Sequence, residues 1–99
     1  MKFMVNWSVD QGSWIPILEK WTSMTPEERA DAGEGVKILG RWHDLASRTG
    51  MLILEASDAA AIAGYLGQWN PYMEMDVSPV LDDEESAKAG KAILDSQGR

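Results

Sequence analysis

The chain has no cysteine, one histidine and one phenylalanine in 99 residues. Without cysteine there is no disulfide, no thiolate nucleophile and no thiolate metal site. A single histidine and no tight acidic cluster argue against a dedicated metal site, and no cofactor is expected. Basic residues are scarce as well: 9 Lys and Arg face 16 Asp and Glu, a formal charge of −7. Nucleic acid and anionic membranes both require clustered Lys and Arg, so neither is expected as a partner. No apolar run approaches the roughly 20 residues of a membrane span. The start, "MKFMVNWSV", carries one Lys, is interrupted by Asn6 and lacks a small-residue cleavage site, which reads as a first strand and not a signal peptide. A cytoplasmic protein is the resulting expectation. Glycine-rich phosphate loops are missing too, because "AGEGVKILG" precedes a strand instead of opening a helix.

What the chain does have is tryptophan and methionine, 5 and 6 residues respectively. That is a heavy apolar load for a single domain of this size, which buries only somewhat more than about 60% of its unfolded surface. Part of the load is expected to cover a partner. Residues 1–81 read as the core of the one domain (1–99), and 82–99 as a C-terminal helix or tail.

Residues 2–9 alternate, Phe3, Val5, Trp7 and Val9 against Lys2, Met4, Asn6 and Ser8, as a strand with one apolar face does. Trp14, Ile17, Leu18 and Trp21 then recur at helical spacing, with Asp10 or Ser13 as cap and Pro16 in the first turn. "TPEE" (25–28) carries a capping box and opens a short helix ended by Gly33 and Gly35. "GVKILGRWHD" and "GMLILEAS" read as a hairpin joined by "DLASRT". Ile62, Tyr65, Leu66 and Trp69 repeat the helical stripe until "NP" (70–71) stops it, and "YMEMDVSPV" alternates as a fourth strand. "DDEE" (82–85) lacks the spaced acids of a calcium loop and reads as the N-terminus of a terminal helix. The order β-α-(short α)-β-β-α-β-α predicts an α+β, ferredoxin-like β-α-β-β-α-β domain with a four-stranded antiparallel sheet and an extra C-terminal helix.

Both tryptophan-bearing helices must then cover one face of the sheet. Alternation assigns Met4, Asn6, Ser8, Met51, Ile53, Glu55, Glu74, Asp76 and Ser78 to the other, open face. It adds Lys37, Leu39, Arg41 and His43 from the second strand and leaves Val36, Ile38 and Trp42 in the core. A bulge in that strand would exchange His43 and Trp42. Apolar walls with a few converging polar groups suit a small-molecule pocket, with Trp42 or Trp69 as a wall. His43 is a candidate general base, or a hairpin-end residue bonded to Asp44. Arg41 with Glu55 could orient an anionic or phenolic ligand, or form a cross-strand ion pair. Asn6, mid-strand, needs a hydrogen-bond partner wherever it is buried.

The stretches "GRWHDLASRTG", "EASDAAA", "WNPYM" and "DVSPVLDDEE" resemble a small bacterial family known as a domain of unknown function, over most of residues 1–85. Strand order, length and acidity are similar to the dimeric α+β barrel superfamily, whose members pair through their sheets. That resemblance implies a homodimer built on the open faces. The superfamily includes cofactor-independent and haem-degrading monooxygenases. In the haem-degrading branch an Asn on the first strand, a Trp on the second helix and a later axial His are used. Asn6 and Trp69 occupy comparable places, but no histidine follows Trp69, so haem chemistry is not expected. The functional expectation is a homodimer binding a small apolar or aromatic ligand through Asn6, Arg41, Trp42, Glu55 and Trp69, with His43 as the one catalytic candidate. The alternatives are a non-catalytic interaction module and a cofactor-independent monooxygenase-like enzyme.

Overall fold

In the computed structural model, which describes residues 1–99, the four alternating segments become strands. They are β1 (Lys2–Ser8), β2 (Val36–Asp44), β3 (Thr49–Ala56) and β4 (Glu74–Val80). They form one sheet in the order β2-β3-β1-β4, every neighbouring pair antiparallel. Between them lie α1 (Gln11–Ser23), α2 (Pro26–Ala30) and α3 (Ala59–Leu66), and α4 (Asp83–Ser96) follows the last strand. This is the expected ferredoxin-like arrangement with an added C-terminal helix.

Local chemistry sets the helix ends. The Asp10 carboxylate accepts the Ser13 N–H at 2.8 Å and so starts α1 at Gln11. Pro16 therefore lies in the second turn, not the first, and one internal hydrogen bond of α1 is missing. Thr25 with Glu28, and Asp82 with Glu85, form complete capping boxes. The helical stripe of α3 stops short of Trp69, because α3 ends at Leu66. Tighter turns carry it on: the N–H groups of Gln68 and Trp69 donate to Tyr65 and Leu66, and a 3₁₀ turn covers Asn70–Tyr72.

The core lies between the sheet and the α1–α3 side. Val5 and Leu54 are fully buried, and Leu52, Ala56, Ile62, Tyr65 and Leu66 pack around them. β1 and β3 present the faces that alternation assigns them. β2 does not. Its register against β3 shifts between Ile38 and Gly40, leaving Leu39 as an extra residue. Val36 and Ile38 face the helices as expected. Beyond the bulge the parity inverts, so Arg41 pairs beside Leu52 and His43 beside Gly50 on the helix side, while Trp42 pairs beside Met51 on the open side. The assignment of Arg41 and His43 to the open face, and of Trp42 to the core, is thereby corrected.

Helix α4 buries none of its side chains. Its first turn is tied down by Lys2, whose Nζ lies 3.3 Å from Asp82, 3.3 Å from Glu85 and 3.7 Å from Glu55. The Asp82 carboxylate, and then that of Glu85, hold the Lys2 ammonium above its usual pKa. The Glu85 N–H bond, followed by Lys2, holds Asp82 below its own. The rest of α4 extends away from the domain, with Ile93 and Leu94 exposed. No helix is long and apolar enough to cross a membrane.

Candidate functional site

A cavity opens where the two tryptophan stripes face the sheet. α1 supplies Trp14, Ile17, Leu18 and Trp21, the α3 segment supplies Tyr65, Leu66 and Trp69, and the strands add Trp7, Arg41, His43 and Met75 among others. Four of the five tryptophans line it. Its free volume is about 80 Å³, roughly half that of an apolar cavity of about 150 Å³ known to hold benzene. The mouth is open to solvent, so a single ring can enter part-way.

The register explains how these side chains meet. On the helix side, Trp7 of β1, Gly50 of β3 and His43 of β2 form one cross-strand row. Because Gly50 has no Cβ, the Trp7 indole lies directly over its backbone and reaches His43 edge-on, ring centroids 5.5 Å apart. From above, Trp21 tilts against His43 at 5.0 Å and meets Trp69 edge-to-face at 6.2 Å.

Arg41 ties the surrounding elements together. Its Nη2 donates to the Tyr65 hydroxyl of α3 at 2.9 Å and to the Arg29 carbonyl of α2 at 3.0 Å. Its guanidinium carbon stands 4.9 Å from the Trp21 ring. Arg29 in turn donates from Nε to the Trp21 carbonyl at 3.3 Å and stacks its own guanidinium 5.3 Å from the same ring. Lys20 sits 4.7 Å from the Trp69 ring.

The candidate residues from the sequence divide into two groups. Arg41, His43 and Trp69 come together in the cavity. Asn6, Trp42 and Glu55 lie on the other face of the sheet. Asn6 is exposed and its side chain makes no hydrogen bond within the protein. Trp42 is 60% exposed and folds over Gly40. Glu55 pairs with Lys2, so the proposed Arg41–Glu55 partnership does not form, since the two side chains point to opposite faces. His43 does not bond Asp44 either; that carboxylate accepts the Ser47 N–H and shapes the hairpin turn. Trp7, Trp14, Trp21 and Tyr65 are cavity walls that the stripes alone presented as core. The available signal was their excess: two helices each bring bulky indoles to the same strip of sheet. No group of three or more carboxylate or imidazole side chains is arranged so that it could hold a metal ion.

His43 keeps an exposed edge but is pressed between two indoles. Burial, and then the positive charge of Arg41, hold its pKa below the usual value. The unfolded chain therefore binds the His43 proton more readily than the folded one. Stability is full above the unfolded pKa of about 6.5 and falls as the pH drops from there toward the lower folded value. Thermal unfolding between about pH 7 and about pH 5.5 should show this loss in the native chain and a flatter profile in His43→Gln. Identical slopes would show that the imidazole is not strained by its surroundings.

Residues 1–94 match the family model DUF3303, a domain of unknown function, and the chain belongs to that family. No curated protein matches it.

Proposed function

We propose that this DUF3303 chain binds a small apolar or aromatic molecule in the tryptophan-lined cavity between sheet and helices, and that it works as a homodimer in the bacterial cytoplasm. The observation that carries the reading is the cavity itself, walled by Trp7, Trp14, Trp21 and Trp69 with only Arg41, His43, Thr49 and Tyr65 as polar groups. A packed core would have used such surface to exclude space, not to enclose it. His43, with no hydrogen bond in the protein and a pKa that keeps it neutral at pH 7, is free to accept a proton from a bound ligand. That would make a cofactor-independent, monooxygenase-like reaction the narrower form of the proposal.

The dimer rests on the open face. Met4, Met51 and Ile53 are half-buried there with no helix above them, and Trp42 stands exposed beside them. A second copy meeting this face, as in dimeric α+β barrels, would cover them. Light scattering is expected to give about twice the chain mass of 10.9 kDa, and Trp42→Asp to shift the population toward monomer.

The five indole N–H signals of a nitrogen-15-labelled sample, assigned through Trp→Phe variants, test the cavity directly. Toluene, a neutral single ring, should move those of Trp7, Trp14, Trp21 and Trp69 and leave Trp42 in place. A titration in which none of those four responds rules the ligand site out.

A further inference from the structure

We infer that the cavity selects an aromatic anion, a single ring carrying a carboxylate or sulfonate, with Arg41 as the group that holds the charge. This rests on the cavity being a ligand site and adds the class of ligand. Charge segregation carries it. In a chain with 16 acids and 9 bases, not one Asp or Glu lines the cavity, whereas Arg41 and His43 do. Lys20 and Arg29 stand against Trp69 and Trp21, two of its walls. The carboxylates nearest the same end of the sheet, Asp44, Glu74 and Asp76, border the open-face groove instead.

None of the cations Lys20, Arg29 and Arg41 has a counter-ion in the protein. Every salt bridge involves Lys2 or Lys91. Arg41 spends one nitrogen on two neutral acceptors, the Tyr65 hydroxyl and the Arg29 carbonyl. Of the five N–H donors of a guanidinium, those on Nε and Nη1 have no acceptor in the protein, yet no polar side-chain atom without a partner is sealed from contact. A half-buried guanidinium with free donors and no carboxylate is an open site for a bidentate anion. The Tyr65 and Arg29 contacts hold it in place before any ligand arrives.

Indole faces would by themselves favour a cation. Two of the walls are already taken, since Trp21 carries Arg29 and Arg41, and Trp69 carries Lys20. An incoming cation would meet those charges at close range. An incoming carboxylate would find them attractive and lay its ring against the free surfaces of Trp7 and Trp14.

Benzoate, benzamide and benzylamine share a ring and differ in charge. Titrated into the full chain and followed by the indole signals, benzoate is expected to bind about tenfold or more tightly than benzamide, with benzylamine weakest. Inorganic phosphate alone should leave the four cavity indoles unmoved. Arg41→Met should bring benzoate down to the level of benzamide, and Arg41→Lys should retain part of the difference. The three ligands on the native chain decide the matter even if an Arg41 variant does not fold. Equal binding of benzoate and benzamide, or preference for benzylamine, overturns the anion selectivity while leaving a ligand cavity in place. A response to phosphate equal to that to benzoate overturns the aromatic half. If none of the three rings moves the cavity indoles, the ligand site fails and the selectivity with it.

Discussion

Gly50→Ala is expected to displace Trp7, close the cavity and cost about 1–3 kcal/mol of stability. A single methyl group seldom does this much on a sheet. Here the new Cβ would fall inside the van der Waals envelope of Trp7 at Cζ2, Cε2 and Cη2, the six-membered ring of a rigid bicycle and not the tip of a flexible chain. A shift of a few tenths of an ångström does not clear an overlap with three ring atoms at once. The indole has to rotate as a whole, either into the cavity or out to solvent. Both routes break the 5.5 Å contact with His43. Chemical denaturation should give the stability loss, and the indole signal of Trp7 should move further than any other. Aromatic ligands should bind more weakly. An alanine variant that binds toluene and benzoate like the native chain would contradict the placement of Trp7 over Gly50.

Deleting Leu39 and Gly40 together should be more damaging still. Val36 and Ile38 face the helices before the bulge, and Arg41 and His43 after it. Ile38 and Arg41 are three positions apart, so strict alternation would set them on opposite faces, and the unpaired Leu39 restores their agreement. Removing Leu39 alone makes Ile38 and Gly40 neighbours and leaves every residue its partner on β3, so little change in melting is expected. Removing both residues makes Ile38 and Arg41 neighbours, and one half of the strand has to turn over. If the first half keeps its register, Arg41 and His43 go to the open face and Trp42 is driven into the cavity. If the second half keeps its register, the half-buried Val36 and Ile38 lose their cover, at up to about 1.5–3 kcal/mol each. Arg41 would also lose Tyr65 in the first case, leaving the hydroxyl unpaired. A loss of about 3 kcal/mol is a large share of the roughly 5–15 kcal/mol that holds a domain together. The expected result is a chain that melts well below the native one and no longer discriminates benzoate from benzamide. Native-like melting of the double deletion would contradict the faces assigned to β2.

The same bulge marks where the sequence stops being readable. Strand and helix identities followed from alternation and stripe spacing, and the cap at Thr25 and the helix start within 82–85 from side-chain chemistry, because each depends on residues within one turn of each other. The face of each strand followed too, provided parity runs unbroken from end to end, as it does in β1 and β3. In β2 it breaks at Leu39, a residue whose type gives no warning. The candidate residues consequently divide between the two faces of the sheet. Arg41 and His43 sit with Trp7, Trp21 and Tyr65 and not with Asn6 and Glu55. The value of Gly50 was also hidden, since its role is to lie under a tryptophan that is 43 residues away in sequence and adjacent only through register.

The projecting C-terminal helix has a consequence for anyone weighing this protein in solution. Its 14 residues at about 1.5 Å each make an arm of about 21 Å. With it, the chain spans 55 × 29 × 20 Å and has a radius of gyration of 16.4 Å, against about 13 Å for a compact domain of this length. Such a body drags more water than its mass suggests. A lone chain will leave a gel-filtration column early and pass for a heavier species, and trimming residues after Asp82 should shift its elution by more than the lost mass accounts for. Sedimentation equilibrium, which is blind to shape, separates one elongated chain from two.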